Sequence, residues 1–300
     1  MRVHLVDGTF ELFRAHYSKR PPHASPQGKD LKATVGVVQS LIYLLQETSE
    51  KATHVAVAFD NPIVSFRNDL FAGYKTDAGI DPALRGQFDD VEEAVAALGV
   101  VVWRMKDFEA DDALASAAWR FAKDPRVEQV RILTPDKDLA QVLQGERIVQ
   151  VDRIRQKVIT EATLWADKHL RPGSVPDFLA LVGDTADGIP GLEGWGEKSA
   201  SEVLAAHPHV ADIPDDVKQW KVKPRSAEKL AVVLARERQD AMLFRKLATL
   251  RDDVPLTQTL EQLEWKGAPK EQWLAWCDAV GAASLERRPS RFAPLAAGPR

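Results

Sequence analysis

The chain has 300 residues, of which 45% are hydrophobic and 28% are charged, and its formal net charge is −4. This length exceeds that of one typical domain and predicts one large domain or two unequal ones. No apolar run approaches the roughly 18 residues of a membrane span, and the chain opens on a strand-like segment rather than a secretory signal. The single cysteine, Cys277, excludes an intrachain disulfide, and no Cys/His set has zinc-ligand spacing. We therefore expect a cytoplasmic protein without a membrane segment.

Residues 1–172 alternate strand and helix patterns, which is typical of an α/β domain with a mostly parallel sheet covered by helices. The predicted strands lie at 2–6, 54–59, 100–104, 129–134 and 148–151. Between the first two strands, Val38, Leu41 and Leu45 recur at helical spacing. The same spacing predicts a helix at 88–98 and another that begins near Glu109.

The pattern changes after residue 173, where helices and loops replace strands. Ser174 to Asp177 resembles a capping box and predicts the start of a helix. The sequence predicts a second, helical domain at 173–286. Residues 287–300 are rich in Arg, Pro, Ala and Gly, so we expect a disordered tail there.

Nine carboxylates stand at five places where predicted strands or helices begin or end. They are Asp7, Asp60, Glu109, Asp111, Asp112, Asp136, Asp138, Asp184 and Asp187. Ligands of open α/β sheets bind outside the carboxyl ends of the strands, so strand-terminal acids converge there. So many negative charges share a site only if some are protonated or if cations neutralise them. Oxygen-only ligand sets select hard cations such as Mg²⁺ or Mn²⁺, so the pattern predicts a metal-dependent phosphoryl-transfer site.

Two features of the second domain suit a phosphate backbone. Gly191, Gly194 and Gly196 allow close backbone approach, and the helix that follows offers free amides beside Lys198. Residues 218–246 carry nine basic and three acidic residues, a local net charge of 9 − 3 = +6. The basic residues of this stretch include Lys221, Lys223 and Arg225. A structural turn and a solvated helix face remain open as alternative interpretations.

An ordered set of motifs runs through nearly the whole chain, from about residue 3 to 285. The motifs are Leu5-Val6-Asp7-Gly8, Phe59-Asp60, Ser65-Phe66-Arg67, Gly73-Tyr74-Lys75, Glu109-Ala110-Asp111-Asp112, Leu133 to Leu139, Gly183 to Asp187, and Pro190 to Lys198. In this order they resemble the bacterial 5′→3′ exonuclease/flap endonuclease family, which includes the 5′ nuclease domain of DNA polymerase I. The ordered set is far more specific than any one of its members.

The resemblance implies a fold and a site. It implies a PIN-like catalytic domain at 1–172, a helical arch at about 74–96, and a helix–hairpin–helix (H3TH) DNA-binding domain at 173–286. By the same resemblance the nine carboxylates hold two divalent ions, and the hairpin of some relatives also binds K⁺. Lys75, Arg67 and Arg85 match basic residues that neutralise charge on the scissile phosphate, and Arg14 matches a basic residue near the metal site.

The resemblance also implies an activity and a set of partners. We expect two-metal hydrolysis of DNA at 5′ flaps, nicks or junctions, independent of base sequence and leaving 5′-phosphate and 3′-hydroxyl ends. Such an enzyme serves replication and repair, and we expect a stand-alone monomer whose polymerase or ligase partner the sequence does not name. Three residues depart from the family pattern: Ala78 in place of an arginine, Gly188 in place of an asparagine, and Ala140 in place of an aromatic residue or methionine.

Three other functions fit parts of the sequence pattern. Val6 to Thr9 has part of the opening motif of haloacid-dehalogenase phosphatases, but Leu5 occupies the position of the nucleophilic aspartate. A non-catalytic junction binder would not need the acids at 136, 138, 184 and 187. The basic helical domain favours duplex DNA over the substrate of a PIN-type ribonuclease.

Overall fold

The computed structural model describes residues 1–294, and a six-stranded sheet lies at the centre of the fold. The strands are β1 (Arg2–Asp7), β2 (His54–Asp60), β3 (Val101–Met105), β4 (Gln129–Leu133), β5 (Ile148–Asp152) and β6 (Lys157–Ile159). Their order is β3-β2-β1-β4-β5-β6; β1 to β5 run parallel, and β6 is antiparallel to β5. The five predicted strands are confirmed to within one residue at each end, whereas β6 was not predicted.

Helices cover both faces of the sheet and form the second half of the chain. They are α1 (Gly8–Tyr17), α2 (Lys32–Gln46), α3 (Phe66–Leu70), α4 (Pro82–Arg85), α5 (Phe88–Ala97), α6 (Ala110–Ala122), α7 (Glu161–Lys168), α8 (Val175–Val182), α9 (Glu197–Ala206), α10 (Ala227–Ala248) and α11 (Lys270–Ala279). Side chains alternate between the two faces of a strand. In β2, Val55 and Val57 accordingly join the core under α2 and α5, whereas Ala56 joins the core under α6. In the described residues, no helix combines the length and the apolar character needed to cross a bilayer.

The strand order creates a switch point beside β1. The chain runs from β1 outward to β2 and β3 on one side and to β4 and β5 on the other. Crossover helices diverge at such a point and leave a crevice at the carboxyl ends of the strands. Asp7 ends β1, Asp60 ends β2, and Asp136 follows β4, so three of the predicted site residues lie at this crevice.

The C-terminal part of the chain returns to the sheet, which corrects the predicted boundary of the helical domain. The core of the helical domain reaches Ala248. Beyond it, Leu250 to Leu263 pack into the core under α6, and Trp265 to Leu285 pack into the core under α2 and α5. The range 173–286 therefore extends too far, because α5 presents an apolar surface that α11 covers.

The prediction of a disordered tail at 287–300 is wrong for residues 287–294. The Ala268 N–H donates to the Arg291 carbonyl oxygen at 3.1 Å, and the Ala293 N–H donates to the Ala268 carbonyl oxygen at 2.9 Å. These backbone bonds hold the segment against the turn before α11. Residues 295–300 lie outside the described residues.

The predicted arch at 74–96 also needs correction. Phe88, Val91 and Val95 of α5 are buried and pack against the sheet, so this helix belongs to the core. Ahead of α5 the predicted arch consists of a loop followed by the short helix α4, and Leu84 of α4 is itself buried in the same core. The helical spacing of 88–98 was read correctly, but its apolar stripe faces the sheet.

We expect Trp273→Ala to lower the free energy of unfolding by about 3–5 kcal/mol, because the Trp273 side chain is 0% exposed and its removal leaves a cavity between α11 and the sheet. The matched control is Trp165→Ala, whose side chain is 41% exposed, and we expect its loss to stay near about 1 kcal/mol. Urea denaturation followed by circular dichroism measures both. Equal losses would contradict the docking of α11.

Candidate active site

The acids at the ends of β1 and β2 are fixed by the helices that follow. Asp7 caps α1 by accepting the Phe10 N–H at 2.8 Å, and its other oxygen accepts the Thr134 hydroxyl at 2.8 Å. Asp60 accepts the Ala110 N–H at the start of α6 at 2.7 Å, and its own N–H donates to the Thr9 hydroxyl oxygen at 2.8 Å. Both carboxylates therefore face the crevice in fixed orientations.

These acids raise one another's pKa. Burial raises the pKa of Asp7 to about 7, and the charges of Asp60 and Asp136 add to the effect. Burial and the charges of Asp136 and Asp7 raise the pKa of Asp111 well above its ordinary value. Burial also raises the pKa of Asp60 and of Asp136. The four carboxylates therefore cannot all be ionised near neutral pH unless cations join them.

Asp112, predicted as a metal ligand, is instead committed to a buried ion pair. Its side chain is 0% exposed, and its two oxygens accept hydrogen bonds from the two terminal nitrogens of Arg67, at 2.7 and 2.8 Å. The backbone N–H groups of Glu109 and Arg251 also donate to it, at 3.0 and 2.9 Å. With both oxygens used in this way, Asp112 fixes the start of α6 and does not join the carboxylates of the crevice.

Arg67 is likewise excluded from the predicted contact with a scissile phosphate. Its side chain is 1% exposed, and its guanidinium bonds Glu109 and Asp112. The remaining donors reach the carbonyl oxygens of Leu247 at 2.7 Å and Thr249 at 3.1 Å. An arginine whose fork is filled in this way has no donor left for a substrate. Arg67 thus positions Glu109 and holds the end of α10 against the site.

A second group of carboxylates lies beside the group formed by Asp7, Asp60, Asp111 and Asp136. Asp138, Asp184 and Asp187 each place an oxygen within 4.8 Å of the others. One oxygen of Asp138 is buried and has no hydrogen-bond partner in the part of the chain that the structure describes. Burial, followed by the charges of Asp136 and Asp187, raises the pKa of Asp138 well above its ordinary value. The group has the composition and spacing of a divalent-cation site, and Lys137 compensates part of its charge through Asp184 at 2.8 Å.

Lys75 lies between the two groups. Its Nζ is 2.8 Å from a Glu109 oxygen and 2.9 Å from an Asp187 oxygen, and its side chain is 23% exposed. The Tyr74 hydroxyl lies 3.2 Å from a Glu109 oxygen and 3.3 Å from an Asp187 oxygen, within reach to donate its one proton to either acid. Burial alone would raise the pKa of Glu109, but Lys75 and Arg67 lower it to about 2. The structure thus places Lys75 between Glu109 and Asp187.

The Gly188 departure has a local reason. Gly188 has a φ of +74°, and a side chain there would collide with the Gly73 carbonyl oxygen. This close approach continues in the bond from the Lys75 N–H to the Asp187 carbonyl oxygen at 3.0 Å. Glycine at 188 therefore lets the loop of Lys75 lie directly on the loop of Asp187.

Arg85 and Arg14 do not contact these carboxylates. Arg85 lies 4.7 Å above the Phe88 ring and 3.9 Å from Asp77, so it is aimed away from the crevice. Arg14 pairs with Glu11 and donates to the Ser40 hydroxyl oxygen at 3.1 Å. The expected contact of Arg85 with a scissile phosphate stays a prediction, and Arg14 lies two helical turns along α1 from Asp7.

The predicted DNA contacts of the helical domain lie at its surface. Lys198, Lys221, Lys223 and Arg225 are exposed and form no ion pair within residues 1–294. By contrast, two other cations of the basic stretch are partly buried and paired: Arg238 bonds exposed Asp215, and Arg245 bonds buried Asp177.

Three glycines shape the loop that leads into α9. Gly191 has a φ of +71° and packs against the backbone of Val182, Gly194 has a φ of +78°, and Gly196 is the N-cap of α9. Trp195, which lies between Gly194 and Gly196, is buried and packs against Trp220.

Sequence reasoning missed four residues that complete the site: Ser65, Tyr74, Thr134 and Lys137. Ser65 donates to Glu109 at 2.7 Å, and the other three bond Asp7, Glu109, Asp184 or Asp187 as described above. Each is adjacent to a predicted site residue or two positions from one. The available signal was therefore their position beside the acids, since hydroxyl and ammonium groups there can orient or neutralise a carboxylate.

Comparison with known proteins identifies the family. Residues 2–168 match the 5'-3' exonuclease N-terminal resolvase-like domain, and residues 170–271 match the 5'-3' exonuclease C-terminal SAM fold. The chain belongs to the 5'-3' exonuclease family. The resemblance inferred from the motifs is thereby confirmed, and with it the assignment to a family of metal-dependent nucleases.

Relatives and solved structures agree with this assignment. The chain is 28% identical over 265 residues to a 5'-3' exonuclease of Aquifex aeolicus, covering 88% of this chain and 86% of that protein. It is 35% identical over 256 residues to the thermostable DNA polymerase I of Thermus thermophilus, covering 85% of this chain and 29% of that protein. The chain spans only 28% and 32% of the length of the DNA polymerase I relatives from Mycobacterium leprae and Bacillus subtilis.

Two solved structures share the fold. T5 5'-exonuclease with bound zinc matches with a TM-score of 0.63 at 17% identity, covering 94% of this chain and 93% of that one. The catalytic core of Rad2 in complex with DNA substrate matches with a TM-score of 0.59 at 14% identity, covering 94% and 87%. The predicted architecture, a mostly parallel sheet flanked by helices followed by a helical domain, is confirmed.

Two substitutions separate the roles of the acids. Asp138→Asn removes a charge from a repelling group, so we expect it to raise the free energy of unfolding of the metal-free protein by about 1 kcal/mol at pH 8. Asp112→Asn leaves the buried Arg67 charge unpaired, so we expect a loss of about 3–5 kcal/mol. Denaturation in chelator measures both. A loss of similar size in the two variants would contradict the distinction.

The stability of the metal-free protein should fall as the pH rises, and the stabilisation by Mg²⁺ should grow over the same range. The pKa of Asp7 is about 7 in the folded protein and 3.8 in a free aspartate, so the unfolded state ionises first and metal-free stability falls from about pH 4 to about pH 7. Because a carboxylate must be deprotonated to bind a metal, we expect the rise in Tm on adding Mg²⁺ to grow between pH 6 and pH 8. Thermal denaturation with Mg²⁺ or chelator at each pH measures this. A rise independent of pH would contradict it.

Proposed function

We propose that the protein is a divalent-metal-dependent 5′ nuclease that hydrolyses DNA phosphodiesters as a 5′→3′ exonuclease and flap endonuclease. The observation that carries this proposal is the pair of carboxylate groups on either side of Lys75 at the carboxyl edge of the sheet, in a chain of the 5'-3' exonuclease family. The products would carry 5′-phosphate and 3′-hydroxyl ends, and the setting would be replication and repair.

The donor sets fit two hard cations, Mg²⁺ or Mn²⁺. Asp7, Asp60, Asp111 and Asp136 would hold one ion, because burial and mutual repulsion raise the pKa of each. Asp138, Asp184 and Asp187 would hold the other, because they place oxygen donors within 4.8 Å of one another and one Asp138 oxygen has no partner in the described residues. When bound, such a pair lowers the pKa of water and stabilises the leaving 3′ oxygen.

The residues of the chain supply positioning and charge. Lys75 bonds Glu109 and Asp187 now, and with Asp187 serving as a metal ligand the Lys75 ammonium would keep Glu109 as its partner and be able to donate to a phosphate oxygen of the scissile bond. Arg67, Ser65 and Tyr74 hold Glu109 in place while this occurs. Arg85 would act from the segment above the site only if that segment moves, so we assign it no contact in this conformation.

The helical domain would hold duplex DNA through its backbone. Lys198, Lys221, Lys223 and Arg225 are exposed cations, and backbone amides in the first turn of α9 would donate to a phosphate. Such contacts carry no base information, so recognition would follow the shape of flaps, nicks and junctions. We place a K⁺ ion at the loop of Gly191 to Gly196 in this proposal and expect a monomer to suffice.

The proposal is tested with a 5′-labelled flap duplex and a matched blunt duplex. We expect Mg²⁺-dependent release of short products near the flap junction, and a fall in turnover of at least about 100-fold for Asp184→Asn, since one metal ligand is lost. Asp167→Asn is the charge-matched control, because Asp167 is exposed and pairs with Lys157 away from the crevice. Binding of the flap without cleavage by the unaltered protein would overturn the nuclease proposal in favour of a junction binder.

A further inference from the structure

A basic cavity of about 500 Å³ lies between α1, α2, the turn after β5 and the C-terminal segment. Its lining includes four arginines, a serine and a tyrosine: Arg14, Arg20, Arg153, Arg288, Ser40 and Tyr43. No acidic residue of the described chain lines it. Four guanidinium groups around one opening form a strong positive field for an anion.

The arginines are held in place by polar neighbours rather than scattered on the surface. Arg20 donates to the Gln39 side-chain oxygen at 2.7 Å, and Arg153 and Arg14 donate to the same Ser40 hydroxyl oxygen at 3.0 and 3.1 Å. Buried Glu11 lies behind the last two arginines and compensates one charge. Because a guanidinium has five N–H donors, each of these arginines keeps donors for a ligand.

The cavity lies at the same edge of the sheet as the carboxylates. Asp7 caps the start of α1 and Arg14 lies in its last turn, roughly 10 Å further along the helix at 1.5 Å per residue. Arg153 follows Asp152, which ends β5 beside β4, the strand that leads to Asp136. A strand of B-form DNA carries one phosphate per about 3.4 Å of axis, so a few nucleotides span this distance.

We propose that this arginine cavity binds a backbone phosphate of the same nucleic-acid strand, or of its complement, that occupies the carboxylate site. The inference rests on the proposed nuclease function and extends its substrate contact to the β5 side of the sheet. Arginine forks match phosphate oxygens in pairs, which favours a phosphate over other anions. Tyr43, 62% exposed at the rim, offers a ring on which a neighbouring base can stack.

The test compares Arg153→Ala and Arg20→Ala with Arg155→Ala. Arg155 is the matched control because it carries the same charge two residues from Arg153. Its side chain is 77% exposed, pairs with Asp152 and does not line the cavity. We expect the two cavity variants to bind flap DNA about tenfold more weakly in Ca²⁺, with a salt slope shallower by about 0.9 for the one lost phosphate contact. In Mg²⁺ we expect the KM of the two cavity variants to rise in proportion to the lost affinity, the KM of Arg155→Ala to match that of the unaltered protein, and Arg153→Lys to recover part of the affinity.

Single methylphosphonates identify the phosphate that is bound. A methylphosphonate at the bound phosphate should weaken binding by the unaltered protein but not by Arg153→Ala. The strand that carries this methylphosphonate, flap or duplex, shows which strand the cavity binds. If the unaltered protein cleaves flaps while the cavity variants match Arg155→Ala in affinity and salt slope, the cavity inference is overturned and the nuclease stands. If the unaltered protein neither binds nor cleaves flap DNA, the proposed nuclease function fails, and the cavity inference fails with it.

Discussion

Electrostatic repulsion among the carboxylates gathered at one sheet edge is the constraint on which the rest of this structure depends. Buried acids of like charge raise one another's pKa, so the edge is costly to fold without cations. The chain supplies two cations of its own at different depths. Arg67 is buried and permanently paired, whereas Lys75 is partly exposed and joins two acids that belong to different segments. The first is structural and the second is available for exchange.

The depth of Arg67 also explains how the two halves of the chain are held together. Its guanidinium bonds Glu109 and Asp112 at the start of α6 and the carbonyl groups of Leu247 and Thr249 at the end of α10. One side chain therefore fixes the helical domain relative to the carboxylates. A duplex held by the exposed lysines of that domain would reach the crevice in a defined orientation, since little freedom remains between the two parts.

The C-terminal segment makes the catalytic domain a composite of both ends of the chain. Residues 250–263 cover the core on the α6 face, and residues 265–285 cover the core on the α5 face. The same return brings Arg288 beside Arg14, Arg20 and Arg153. Positive charge from three distant segments thus collects next to the negative crevice, an arrangement suited to a polyanion that must approach a cluster of acids.

Local pattern in the sequence determined the five parallel strands, several helices and the positions of the acids, because alternation, helical spacing and strand ends are short-range properties. The motif order also determined the family. Tertiary structure alone decided which charged groups are buried and which are free. Asp111 and Asp112 are adjacent in sequence, yet one faces the crevice and the other is covered by Arg67 and the backbone of Arg251. The docking of α5 and the return of residues 287–294 were likewise decided by which apolar surfaces meet, and such contacts join residues far apart in the chain.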